Sequence, residues 1–152
     1  MIGLIQRVSG AEVRVNGEMV AEIRTGLLVL VGVERGDGSD EALKLASRLV
    51  AYRVFADEAG KMNRSVRDVG GSLLLVPQFT LLADTSGGLR PSFSRAAPPE
   101  HGRAMFDALV AAVAATGVPH ECGRFGAEMK VSLTNDGPVT FWLQVSPASP
   151  IG

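Results

Sequence analysis

The feature that most constrains this chain is a pair of uninterrupted apolar runs. These are Leu27-Leu28-Val29-Leu30-Val31-Gly32-Val33 and, behind Gly70-Gly71 and Ser72, Leu73-Leu74-Leu75-Val76. Runs of this length and composition imply strands buried on both faces, or shared between a core and a second covering layer. Only two segments carry helical periodicity. In the first, Ser39 can cap a helix with Asp40 and Glu41 in its opening turn, and Ala42, Leu45, Ala46, Leu49 and Tyr52 make one apolar face. The second starts at Pro98-Pro99, buries Met105, Phe106, Leu109, Val110 and Val113, and stops at Gly117. Two helices shield one face of a sheet. The other face therefore needs further cover, which a partner subunit could supply.

The remaining apolar segments are strand-like. Met1 to Val8 is a short extended segment, and Glu12 to Val15 alternates before the hairpin dipeptide Asn16-Gly17, with Met19 to Arg24 as the return strand. Lys61-Met62-Asn63 follows a turn ending at Gly60, and Val118 to Glu121, Met129 to Leu133 and Val139 to Val145 complete the set. The turn Thr134 to Pro138 separates the last two. Pro77 puts an edge or a break in the ladder before Gln78 to Leu82. Many strands with only two helices predict an α+β domain, a curved, mainly antiparallel or barrel-like sheet with both helices on one face. At 152 residues the chain fits one domain, assigned to residues 1–145, with 146–152 as a flexible C-terminal tail.

Composition removes several classes of function. Fifteen Lys and Arg stand against 16 Asp and Glu, a formal net charge of -1, so no broad basic surface is available and non-specific nucleic-acid binding should be weak at physiological salt. The single cysteine, Cys122, permits no internal disulfide, and with His101 and His120 it cannot build a cysteine-rich metal cluster. Arg7 interrupts the first apolar stretch, so it is not a secretory signal, and no run approaches a membrane span. A cytoplasmic protein without metal, cofactor or membrane partner is the expectation. Nucleotide-binding, zinc-protease and serine-hydrolase motifs are absent. His101 reads as a solvated surface residue near a helix start. His120 and Cys122 share one face of a strand, yet nothing nearby would depress the thiol pKa, so an inert thiol is the simpler reading.

Two short segments concentrate unusual backbone chemistry beside polar side chains. Pro77-Gln78-Phe79-Thr80-Leu81 follows a buried strand, and Asn135-Asp136-Gly137-Pro138-Val139-Thr140 joins two others. Backbone N-H groups released from a ladder can hold a developing oxyanion, and a hydroxyl can position substrate or water. Together with Ile5-Gln6-Arg7-Val8, Gly26-Leu27-Leu28-Val29, Gly60-Lys61-Met62-Asn63, Arg90-Pro91-Ser92-Phe93-Ser94, Gly123-Arg124-Phe125-Gly126-Ala127 and Phe141-Trp142-Leu143, these segments run in the order and spacing of one family. The chain resembles the D-aminoacyl-tRNA deacylases of the bacterial and eukaryotic type, whose signatures are SQFTL and NxGPVT.

That resemblance implies a homodimeric proofreading hydrolase that removes D-amino acids, and misattached glycine, from the 3'-terminal adenosine of tRNA, with no DNA partner. It assigns Gln78, Phe79 and Thr80 to catalysis, with Phe79 and Thr80 N-H groups on the carbonyl oxygen and the ribose 2'-hydroxyl activating water. Thr80 is read as a positioning group rather than a covalent nucleophile, because no base partner is visible. Phe79, Met129 and Asn135 are assigned to substrate binding. Selectivity falls to Gly137 and Pro138, whose peptide is expected to be cis and whose carbonyls face the side where an L side chain would project, with Arg7 bracing them across the subunit boundary. Arg90, Arg95, Lys61 and Arg64 are candidates for gripping tRNA phosphates. One departure stands out: Pro77 replaces the family's serine, removing a hydroxyl and an N-H. It is the one feature that favours the alternative of a non-catalytic RNA-end or small-ligand binding dimer; a third reading is a structural dimerisation domain with no ligand.

Overall fold

The computed structural model describes residues 1–148. The chain order is β1 (Ile2–Val15), β2 (Glu18–Ile23), β3 (Gly26–Gly32), α1 (Ser39–Ala51), β4 (Phe55–Ala56), β5 (Met62–Arg64), β6 (Ser72–Pro77), a 3-10 helix (Phe79–Leu82), α2 (Pro99–Ala115), β7 (His120–Cys122) and β8 (Lys130–Gln144). The main sheet runs β2-β1-β3-β6-β7, with β8 also on β1. This is the expected α+β architecture. The pairs β1-β2, β1-β3 and β1-β8 are antiparallel, while β3-β6 and β6-β7 are parallel, so the sheet is mixed.

The two apolar runs behave as their composition requires. Leu27, Val29 and Val31 with Leu73 and Leu75 face the helices, packing on Leu45, Leu49, Phe106, Leu109 and Val113. Leu28, Leu74 and Val76 face a second core made with Val8, Ala11, Val13, Ala21 and Ile23. The cover on that second face comes from the chain itself. β1 is long enough to serve two neighbours along one edge, β3 through residues 2–8 and β2 through residues 11–15, and its far half folds over the β3-β6 face. The need for a partner to cover these strands is thereby removed.

Four local expectations are corrected. The segments at 1–8 and 12–15 are one strand. Residues 134–138 do not separate two strands: β8 runs through them from Lys130 to Gln144, and the ladder to β1 accommodates them by register shifts at Gln6/Val8 and Val8/Gly10. A Gly-Pro pair reads as a turn in isolation, but β1 offers a continuous edge that holds both flanks in one strand. The cap of α1 is Gly38, whose N-H donates to Glu41 Oε2 at 2.7 Å, rather than Ser39. β7 is likewise displaced slightly, to His120–Cys122. Of the expected tail, Ser146 to Ala148 are exposed and irregular, and residues 149–152 lie outside the described residues.

The start of the chain is anchored. The Met1 ammonium donates to Asp37 Oδ1 at 2.8 Å and to the Val145 carbonyl at 2.6 Å, fully buried, while Asp37 Oδ2 accepts the Glu34 N-H at 2.7 Å. His101 joins this cluster through Nε2 and the Asp37 carbonyl at 2.6 Å, so it is a half-buried structural residue and not a solvated one.

Candidate active site

At the end of β6 the chain stops pairing and turns. Gln78 keeps one ladder bond, its N-H donating to the Val31 carbonyl at 2.7 Å, and Pro77 pairs with Val31 in register. Pro77 carries no N-H, and the β6-β7 ladder ends at Leu75-Cys122 with Gly123 N-H on the Leu75 carbonyl at 2.8 Å. The next residues coil into the 3-10 helix Phe79–Leu82, seated on Gly32, where an added Cβ would lie 2.3 Å from Leu82 Cδ2. A side chain at Gly32 would have to displace the buried Leu82.

This turn exposes its donors. Leu81 N-H reaches the Gln78 carbonyl and Ala83 N-H the Thr80 carbonyl, but the N-H groups of Phe79 and Thr80 have no acceptor among the described residues. Gln78 Nε2 donates to Thr80 Oγ1 and orients the hydroxyl. Phe79 is 61% exposed, a costly position for a phenyl ring in water, and stacks at a tilt on Phe93, centroids 5.1 Å apart. Phe93 comes from the loop after the turn and packs on Ile2, Leu82 and Ala96. Met129 lies on the same side: a Cβ on Gly123 would meet Met129 Sδ at 2.8 Å and Pro77 Cδ at 3.6 Å. The end of β6 therefore gathers Gln78, Phe79, Thr80, Met129 and, unanticipated from the sequence, Phe93.

The second signature sits elsewhere. Asn135 accepts the Val139 N-H on Oδ1 at 3.0 Å and donates from Nδ2 to Thr140 Oγ1 at 2.9 Å. Arg7 donates from Nε to the Asp136 carbonyl at 3.0 Å and from Nη1 to the Val54 carbonyl at 2.7 Å, with the Asp136 carboxylate 3.7 Å away, so it braces the loop of its own chain and not, as expected, a partner's across the subunit boundary. The Gly137-Pro138 peptide is cis, as expected. Gly137 has φ +136°, and a Cβ there would meet Val139 Cγ2 at 2.6 Å, so only glycine fits. Both Gly137 and Pro138 are exposed.

The two groups are not brought together within one chain. Residues 135–140 lie opposite Arg7, which pairs with Leu27 at the start of β3, whereas Gln78 follows Pro77, which pairs with Val31 at its end. Four to five residues of strand separate them, about 15 Å before the lateral offset between β8 and β6 is added. Grooves of about 510 Å³ beside Leu43, Ser47, Arg48 and Gln144, and about 490 Å³ beside Ser9, Glu12, Arg24 and Thr134, include neither signature segment.

Other candidates distribute plainly. Arg90 and Arg95 are exposed in the loop after the turn; Lys61 and Arg64 are on the β4-β5 hairpin, where Arg64 pairs with Glu58 at 3.2 Å. Burial pushes the Cys122 thiol pKa up, with Glu121 and Asp107 adding to it, which disfavours the thiolate. Among the described residues, no three His, Cys, Asp or Glu converge as metal ligands, and no helix is long and apolar enough to cross a membrane.

A family model described as D-Tyr-tRNA(Tyr) deacylase matches residues 4–144. The chain belongs to that family. A protein of Stutzerimonas stutzeri named D-aminoacyl-tRNA deacylase is 62% identical over 144 residues, covering 95% of this chain and 99% of the relative. One of the same name from Alkalilimnicola ehrlichii is 58% identical over 149 residues, covering 98% and 99%. Among solved structures, the c-Myc DNA Unwinding Element Binding Protein superposes with TM-score 0.90 at 36% identity, covering 97% of this chain and 100% of its own. A probable eukaryotic D-amino acid tRNA deacylase superposes with TM-score 0.81 at 17% identity, covering 95% and 98%, a likeness of fold alone.

Proposed function

We infer that this protein hydrolyses the ester between a D-amino acid, or misattached glycine, and the 3'-terminal adenosine of tRNA, in a site that two copies complete. The substrate rests on near full-length similarity to relatives bearing that activity's name. The chemistry rests on one observation: two unengaged N-H groups, at Phe79 and Thr80, on an exposed turn. They hold the oxyanion that forms when water adds to the ester carbonyl. The carbonyl carbon gains the water oxygen, the bond to O3' breaks, and a proton passes to O3', leaving a free amino acid and the tRNA 3'-hydroxyl. No histidine or carboxylate hydrogen-bonds to Thr80, so the adjoining 2'-hydroxyl of the substrate activates the water and Thr80 positions it.

Stereochemical exclusion belongs to the exposed carbonyls of Gly137 and Pro138 from the second copy. Three features support a homodimer: the separation of the two signatures along β3, the exposed Phe79, and the two exposed aromatic residues of β8, Phe141 at 38% and Trp142 at 49%. Glycine, lacking a side chain, passes such a filter. The setting is cytoplasmic, where charged tRNA is made and used.

The second reading, a non-catalytic dimer that binds the RNA end, draws on Pro77. Incubation with D-tyrosyl-, L-tyrosyl- and glycyl-tRNA, following ester loss, separates the two. Loss of the D and glycyl esters with the L ester spared is expected, and a D-tyrosyl-tRNA ending in 2'-deoxyadenosine should resist. Binding without ester loss would establish the second reading, and a covalent acyl group on Thr80 would replace the positioning role.

A further inference from the structure

The side chains around Gly137 and Pro138 form a closed circuit that no part of the proposed chemistry uses directly. Asn135 engages both of its polar ends within its own loop, with Oδ1 on the Val139 N-H at 3.0 Å and Nδ2 on Thr140 Oγ1 at 2.9 Å. The amide thus bridges the two flanks of residues 136–138 and closes them into one unit. Thr140 is tied in turn to the neighbouring strand, accepting from Gln6 Nε2 at 3.4 Å, where Gln6 and Thr140 are also register partners. Arg7 fixes the remaining corner through the Asp136 carbonyl.

We propose that Asn135 and Thr140, braced by Gln6, are positioning residues that set where the Gly137 and Pro138 carbonyls point, and so set stereochemical discrimination without touching the substrate. The proposal rests on the Gly137-Pro138 wall described above. Its physical basis is that exclusion by a wall is only as sharp as the wall is still. Residues 136–138 lie on the free edge of β8, and Gly137 has the widest backbone freedom of any residue type, so the loop depends on side-chain bonds for rigidity. An amide with its oxygen and one N-H engaged locally is held in direction by the loop it closes. Asn135 therefore acts on the substrate through the loop rather than by contact. Thr140, whose hydroxyl accepts from both Asn135 and Gln6, is where the loop meets the sheet.

The test compares parent, Thr140→Ala, Thr140→Ser, Asn135→Ala and Arg7→Ala proteins on D-tyrosyl-, glycyl- and L-tyrosyl-tRNA, measuring kcat and KM for each. Thr140→Ala should raise the L-to-D ratio of kcat/KM about tenfold while D turnover falls by no more than about threefold, the scale of losing the bond from Asn135 and the longer, weaker one from Gln6. Thr140→Ser keeps the oxygen and should restore the parent ratio. Asn135→Ala should shift the ratio the same way, and the double variant should add little to the larger single effect, because both residues belong to one circuit. Equal losses on all three substrates, or a raised KM for D and glycyl substrates at an unchanged ratio, would overturn the proposal. If Arg7→Ala moves the ratio and Thr140→Ala does not, the circuit is wrong and the wall stands. If neither moves it, or the parent spares D-tyrosyl-tRNA, the wall itself fails and the proposal with it.

Discussion

At the far end of β3 the 3-10 helix leaves the Phe79 and Thr80 N-H groups without acceptors and a phenyl ring 61% exposed, whereas beside its near end the loop 135–140 has its neighbouring donors and acceptors engaged by Asn135, Thr140 and Arg7. The difference matches the two tasks that the proposed reaction sets. Donors that will hold charge in a transition state must be empty beforehand and fixed in direction. A wall that rejects one stereoisomer needs no empty valence, only immobility. In the proposed reading one end is prepared to bind and the other to refuse, and the strand between them separates the two within a single chain.

The largest effect should come from breaking the open end. Thr80→Pro removes one N-H and the hydroxyl and also disfavours the helical backbone of Phe79 before it, and should lower D-tyrosyl-tRNA hydrolysis by about a hundredfold or more in single turnover. The fold should survive, as far-ultraviolet circular dichroism would show. An active Thr80→Pro protein would mean that the oxyanion is held elsewhere.

Arg7→Ala strikes the locked end and should act on selectivity before rate. Its two bonds to the Asp136 and Val54 carbonyls tie the loop to the segment after α1. Losing them should raise hydrolysis of L-tyrosyl-tRNA about tenfold, the scale of a charge-assisted hydrogen bond. Arg7→Lys should recover little, since an ammonium cannot address two divergent carbonyls as a guanidinium does. Equal loss on D and L substrates would show that Arg7 supports the fold and not the filter.

The smallest effect concerns the loop behind the open end. Asp84 accepts from the Ser86 hydroxyl at 2.6 Å and the Ser86 N-H at 2.9 Å, and these bonds, hydroxyl first, hold its carboxyl below the ordinary aspartate range. A depressed folded pKa means that the contribution is complete above the unfolded value, about 3.9, and is lost as pH falls through the folded one. The Ser86 amide resonance should therefore titrate with a midpoint below that of a model aspartate, and hydrolysis near neutral pH should not respond. A midpoint at or above the ordinary value would detach Asp84 from the loop.

Much of the scaffold was legible because it follows from burial. The runs at 27–33 and 73–76 became strands covered on both faces, and Leu45, Leu49, Phe106, Leu109 and Val113 became helix faces in one core. What covers the second face was not legible, since nothing in residues 1–15 reveals that one strand bends to serve two neighbours. Residues 134–138 misled for a related reason: Asn-Asp-Gly-Pro favours a turn locally, and only the long partner edge of β1 carries it through as strand. In the site, residue chemistry alone singled out the two signature segments but not their roles, because the proposed chemistry uses backbone carbonyls, which every residue has, and N-H groups, which every residue but proline has. Phe93 was hidden in a polar loop, although a lone phenyl in Arg-Pro-Ser-Phe-Ser was a usable signal. Thr140 stood out only as the last residue of the second signature, and its bonds to Asn135 and Gln6 come into view only once β1 and β8 are paired.

The claim that two distant parts of one chain serve a single site across a dimer is tested most directly by a mixed dimer. Thr80→Pro and Arg7→Ala chains, carrying different carboxy-terminal tags, would be coexpressed and the heterodimer isolated by sequential affinity steps. Its one working turn belongs to the Arg7→Ala chain, and if the filter acts across the interface that turn faces the intact loop of the Thr80→Pro chain. The heterodimer should hydrolyse D-tyrosyl-tRNA at about half the rate of the parent per dimer and reject L-tyrosyl-tRNA as the parent does. A heterodimer as permissive toward L-tyrosyl-tRNA, per working turn, as the Arg7→Ala homodimer would mean that the loop filters within its own chain, and would contradict the composite site.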